Sequence, residues 1–62
     1  MVSTGQILEY LHGIDLPKDK AGLVKYAQSK NAPKDVLDIL NRLPDQQFGN
    51  AAEITHAIGQ IE

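Results

Sequence analysis

Pro33-Lys34-Asp35-Val36-Leu37-Asp38-Ile39-Leu40-Asn41-Arg42-Leu43-Pro44 is the stretch on which the fold turns. Its two prolines punctuate it. Pro33 suits the first turn of a helix, where a missing N–H costs nothing, and Pro44 drives Leu43 toward extended geometry and stops the helix. Between them Val36, Leu37, Ile39, Leu40 and Leu43 cover about 160° of a helical wheel, against about 100° for an ordinary surface helix. The reading is a central helix over residues 33–43, apolar around nearly half its circumference.

Toward the N-terminus, Asn31 ends a second helix that starts from Asp19 as its cap and covers residues 19–30. Leu23, Val24 and Ala27 form its inner face, with Tyr26 at the margin. Gly22 is its weak point, costing about 1 kcal/mol against Ala, and suggests a close approach by another helix. Pro17 forces Leu16 out of helical geometry, so Ile14 and Leu16 are expected to plug the bottom of the core. Ser3 and Gln6 have the spacing of a capping box for a first helix over residues 3–12. That helix turns Ile7, Leu8 and Leu11 inward, with Tyr10 at the edge, and ends at Gly13 in the left-handed conformation.

Toward the C-terminus, Pro44-Asp45 opens a loop over residues 46–49 whose Phe48 should fold inward. Asn50 and Glu53 repeat the capping-box spacing, and Ile54, Ala57, Ile58 and Ile61 line one side of a last helix over residues 50–61. No sustained period-two alternation marks a strand. The expectation is an all-α, compact bundle of four short helices (about 3–12, 19–30, 33–43 and 50–61) forming one domain over residues 1–62.

Composition sets the outer limits. The chain has 62 residues, of which 42% are hydrophobic, a globular level and too high for a disordered tail. Its length leaves no room for a cofactor cleft beside a core, and a domain this small is viable alone but marginal. No apolar run nears the roughly 20 residues that span a bilayer, so no membrane role is expected. There is no cysteine, hence no disulfide and no thiolate metal site. No basic stretch leads into an apolar run at the N-terminus, so a cytoplasmic location is the default expectation.

A spaced series of residues adds to this reading. Leu11-His12-Gly13-Ile14-Asp15-Leu16-Pro17, then Leu23, Tyr26-Ala27, Asn31-Ala32-Pro33, Val36-Leu37 and Leu43-Pro44-Asp45 resembles a family of short bacterial proteins of unknown function. The resemblance spans about residues 6–61. It implies a bacterial source and a small helical fold, and it carries over no catalytic or ligand residue. Gly22 departs from the family pattern, which has a better helix former there.

Chemistry-bearing groups are sparse. His12 and His56 lie off the apolar arcs and lack the helical spacing of paired metal ligands, although Glu9, Asp15 or Glu53 could serve as a third ligand. Ser3, Thr4, Ser29 and Thr55 stand in no nucleophile elbow, and the five glycines form no phosphate-cradling loop. Asp35 and Asp38 project from the polar side of the third helix. There they favour the N-terminal dipole and can pair with Arg42 rather than act as a catalytic carboxylate pair. Neither an enzyme nor a bound cofactor or metal is expected.

Charge is the one uneven feature. Residues 18–34 hold five lysines and one aspartate, a net of +4, while the chain as a whole is at −2. Lys18 and Lys25 share the outer face of the second helix, with Lys20, Lys30 and Lys34 around its ends. Such asymmetry marks either a solvated face or a site for an anionic partner. The expectation is a protein-interaction or adaptor module. Its contact surface comprises Lys18, Lys25, Tyr26, Lys30 and Lys34, and leftover apolar surface meets a protein partner or a second copy of the chain. The rival is a nucleic-acid regulator using the second and third helices as a helix-turn-helix. Against it stand Asp35 and Asp38 on the would-be recognition helix, a net acidic chain with one arginine, and few aromatics for stacking.

Overall fold

The computed structural model describes residues 2–61, so Met1 and Glu62, the ends of the expected 1–62 domain, lie outside the described residues. Four helices form: α1 (Thr4–Tyr10), α2 (Lys20–Ser29), α3 (Lys34–Asn41) and α4 (Ala51–Ile61). Each is somewhat shorter than its expected span, because the flanking residues serve as caps. Ser3 Oγ accepts from the Gln6 amide at 3.2 Å and Gln6 Oε1 accepts from the Ser3 amide at 2.9 Å, which closes the capping box of α1. Asp19 Oδ1 accepts from the Gly22 amide at 2.8 Å and caps α2.

Pro33 is extended, with ψ of 164°, and so precedes α3 rather than opening it. Asn50 Oδ1 accepts from the Glu53 amide at 2.9 Å as expected. The return bond of that second box differs: the Glu53 carboxylate takes the Gly49 amide, one residue earlier than the cap.

The ends are equally local in origin. Asn31, expected to end the second helix, does so at φ of +62°, in the left-handed region. The Ala32 amide reaches back to the Ala27 carbonyl and the Asn31 amide to the Gln28 carbonyl, each at 3.0 Å, the paired bonds of a Schellman ending. Gly13, at φ of +84°, sits in a turn closed by the Ile14 amide on the Leu11 carbonyl at 3.1 Å.

The all-α expectation needs one correction. Two two-residue strands, β1 (Lys18–Asp19) and β2 (Gln47–Phe48), pair antiparallel, with Lys18 opposite Phe48 and Asp19 opposite Gln47. The fold is therefore mostly α. The physical reason lies in two demands that meet. A cap residue must be extended, which Asp19 is at φ −89° and ψ 179°, and the apolar ring of Phe48 draws its loop onto the core beside it. Two residues are too few to carry an alternating pattern.

Phe48, Ile7, Leu23, Val36, Leu40, Ile54 and Ile58 are the large side chains sealed from solvent, so all four helices and the β2 loop share one core. On α3 the width of the apolar arc resolves into two zones. Val36 and Leu40 are buried along its middle, Leu37 and Ile39 on its flanks stay half-buried, and Leu43, expected within the helix, is buried just past its C-cap. Ile14 and Leu16, expected to plug the bottom of the core, pack against it but stay half-buried. The Cα radius of gyration is 10.0 Å, close to the roughly 10.6 Å expected of a folded chain of this length. Among the described residues no helix is long and apolar enough to cross a membrane.

Candidate functional site

The five lysines of residues 18–34 do not act as one patch. Lys20 on the first turn of α2 directs its Nζ to the Asn41 carbonyl at 3.4 Å. That carbonyl is one of the unsatisfied acceptors at the end of α3, where a cation is favoured. Lys34 pairs with Asp38 at 3.5 Å across one turn of α3, the one ion pair among the described residues. Asp38 thus pairs with Lys34 and not with Arg42, because α3 ends at Asn41 and leaves Arg42 as its cap. Both partners are well exposed, so the pair contributes little, about 0–1 kcal/mol.

Lys18, Lys25 and Lys30 remain, two of them lining a groove and the third stacked on its aromatic wall. Lys18, Gly22, Lys25, Tyr26 and Ser29 line an open groove of about 300 Å³ along the outer side of α2. Gly22, Lys25, Tyr26 and Ser29 follow the helical stripe i, i+3, i+4, i+7 of α2, and Lys18, expected on the face of this helix, joins them instead from β1. Lys30 completes the group from the far end, its Nζ 5.4 Å from the centroid of the Tyr26 ring. The walls are mostly carbon: lysine stems and the aromatic ring, with the charged ends free to reach solvent.

Gly22 forms the floor because nothing larger fits easily. A Cβ there would stand 3.0 Å from Lys18 Cδ and 3.3 Å from Asp19 Oδ1. The close approach expected at Gly22 is thus made by the β1 segment and not by another helix. Tyr26 is held as firmly. Its hydroxyl donates to the His12 carbonyl at 2.7 Å, tying α2 to the turn after α1. Ser29 Oγ in turn donates to the Tyr26 carbonyl at 2.6 Å.

Of the sequence-predicted contact residues, the structure therefore brings together Lys18, Lys25, Tyr26 and Lys30, and sets Lys34 apart on α3. Gly22 and Ser29 were not among them. The signal that would find them is the helical stripe of Lys25 and Tyr26, extended back to Gly22 and on to Ser29.

Two other hollows frame this one. An apolar groove of about 300 Å³ runs between the turn after α1 and the start of α4, lined by Leu8, Leu11, Ile14, Leu16 and Ile54 with His12 at its edge. A smaller hollow of about 220 Å³ between α1 and α3 carries Glu9, Asp35 and Tyr10. His12 and His56 are both exposed, and among the described residues no three acidic or histidine side chains gather as metal ligands would.

No curated protein and no solved structure matches the chain. The family model for proteins of unknown function DUF2795 matches residues 2–55, nearly the whole length, and the chain belongs to that family.

Proposed function

We propose that this chain is a small non-enzymatic protein-interaction module that meets its partner through the lysine-bearing side of α2, with residual apolar surface as a second contact. One observation carries the reading. Lys20 and Lys34 are engaged at the end of α3 and with Asp38, whereas Lys18 and Lys25 line a carbon-walled groove that no acidic side chain lines, with Lys30 over the Tyr26 ring of its wall. Cations over an apolar trough with an aromatic wall suit a protein surface, where an aromatic anchor and a charged rim do different work. The half-buried Leu8, Ile14 and Leu16 of the second groove supply the apolar surface.

The helix-turn-helix reading gains less support. On α3, in the place of a recognition helix, Asp35 and Asp38 are exposed alongside Lys34 and Arg42, so the face offered to phosphates is not net basic. The test is site-specific photo-crosslinking in the source cells from position 25, with position 60 on the far side of α4 as control. A discrete protease-sensitive, nuclease-resistant adduct from position 25 alone is the expected result. Nuclease-sensitive adducts, or equal labelling from both positions, would overturn the reading. Sedimentation of the purified chain tells whether the adduct is a second copy: a mass above 6.8 kDa that rises with concentration identifies self-association.

A further inference from the structure

We infer that the α2 groove takes an acidic linear segment of the partner carrying one aliphatic side chain, which seats over Gly22 while carboxylates meet Lys18, Lys25 and Lys30. The inference rests on the protein-interaction reading and names the chemistry of the partner.

Three features of the groove select this occupant. The first is its sign. Two lysines, Lys18 and Lys25, line it, Lys30 stands over the Tyr26 ring at its wall, and the lining holds no carboxylate. Charges so placed draw an anionic chain and fix its register. The second is its wall. A bare phosphate or a dense phosphate backbone would want clustered N–H donors, whereas the trough is mostly carbon and favours an apolar side chain. The third is its size. About 300 Å³, open on one side, lies at the floor of what small-molecule pockets need and suits a single side chain of an extended segment.

The missing Cβ at Gly22 lets the Lys18 side chain pack against the helix backbone and form the floor of the trough. Lys18 leans across that position, its Cβ and Cδ within 3.0–3.3 Å of where a Cβ would stand, so the floor is backbone and methylene. An aliphatic group seated there touches the Tyr26 ring on one side and the Lys18 and Lys25 stems on the other. The ring cannot swing away to refill the space, because its hydroxyl is tied to the His12 carbonyl. The site is therefore preorganised, which spares the cost of ordering it on binding.

The experiment titrates the isotope-labelled full chain with three probes at low salt. These are an acidic Asp/Glu peptide with one central Leu, the same peptide with Ser in place of Leu, and a duplex DNA of equal charge. The expected result is that the amides of Gly22, Lys25, Tyr26 and Ser29 shift together. The Leu peptide should bind about tenfold more tightly than the Ser peptide, which corresponds to about 1.4 kcal/mol. Lys25→Glu, an exposed change, should weaken both peptides, while Gly22→Ala should abolish the difference between them. Equal binding of the two peptides, shifts centred elsewhere, or duplex binding tighter than the Leu peptide would each sink the inference. If the peptides fail while the protein adduct from position 25 persists, the partner's chemistry is wrong and the interaction reading stands. If the adduct is lost as well, both fall.

Discussion

Tyr26→Phe removes one hydroxyl and nothing else, and its effect can be sized from the structure. The lost bond is the 2.7 Å contact to the His12 carbonyl, which joins α2 to the turn after α1. A neutral intramolecular hydrogen bond contributes about 0.5–1.5 kcal/mol, and because His12 is exposed, water can take over its carbonyl, so the cost should be near 1 kcal/mol. A chain of this length has a total stability of about 3–9 kcal/mol, and 1 kcal/mol should lower Tm by about 4–8 °C.

Gly13 makes the reasoning sharper. A Cβ at Gly13 would stand 3.3 Å from the same hydroxyl and would also be held at φ of +84°. Gly13→Ala should therefore cost about 1–2 kcal/mol for the backbone alone, plus a steric part that depends on the oxygen of Tyr26. In the Tyr26→Phe background that steric part disappears, so the two changes should cost less together than the sum of their separate costs. Chemical denaturation of the parent, the two single variants and the double variant measures the cycle. Additivity within about 0.3 kcal/mol, or an unchanged Tm for Tyr26→Phe, would refute the clamp. Binding of the Leu-bearing peptide should weaken with Tyr26→Phe, which keeps the ring but releases it from the His12 carbonyl, and should be lost with Tyr26→Ala.

Burial and backbone geometry set three more outcomes. Phe48→Ala, at a side chain wholly sealed from solvent, should cost about 3–5 kcal/mol, enough to leave much of the population unfolded by circular dichroism at 25 °C. Asn31→Ala, at φ of +62°, should cost about 1 kcal/mol in urea denaturation, while Asn31→Gly should stay within about 0.5 kcal/mol of the parent; equal effects would remove the left-handed stop as the cause. Gly59→Ala should stabilise by about 0.5 kcal/mol, because nothing lies within 4 Å of its missing Cβ on α4, and a destabilised variant would contradict that open space.

What the sequence made legible was local chemistry. The cap at Asp19, the box at Ser3 and Gln6, the stop at Asn31 and the inward turn of Phe48 each follow from a few neighbouring residues and all occur. What it hid was partnership across the chain. Asp19 shows its capping role in its own neighbourhood, yet its pairing with Gln47 depends on where the loop after α3 lands. Tyr26 reads as a marginal aromatic, and only the fold delivers the His12 carbonyl to its hydroxyl. The lysines illustrate the same limit. Their clustering is visible in the charge tally, but the division into two structural residues and three around a groove needs the position of the Asn41 carbonyl and the Asp38 carboxylate.

Gly22 is where the two kinds of information meet. Local propensity marks it as a fault, about 1 kcal/mol worse than Ala in a helix. The fold turns the fault into a fit, since Lys18 and the capping carboxylate of Asp19 occupy the space a side chain would need. Gly59 is the contrast: it sits in open space on α4, with no neighbour to explain it. A position that breaks a local rule for no packing reason is free to be improved, whereas one that breaks it beside a groove rimmed by cations is tied to the shape of that groove. Gly59→Ala and Gly22→Ala therefore ought to part company. The first should alter stability and leave peptide binding unchanged. The second should alter both, since the added Cβ presses on Lys18 in the groove and on the capping carboxylate of Asp19.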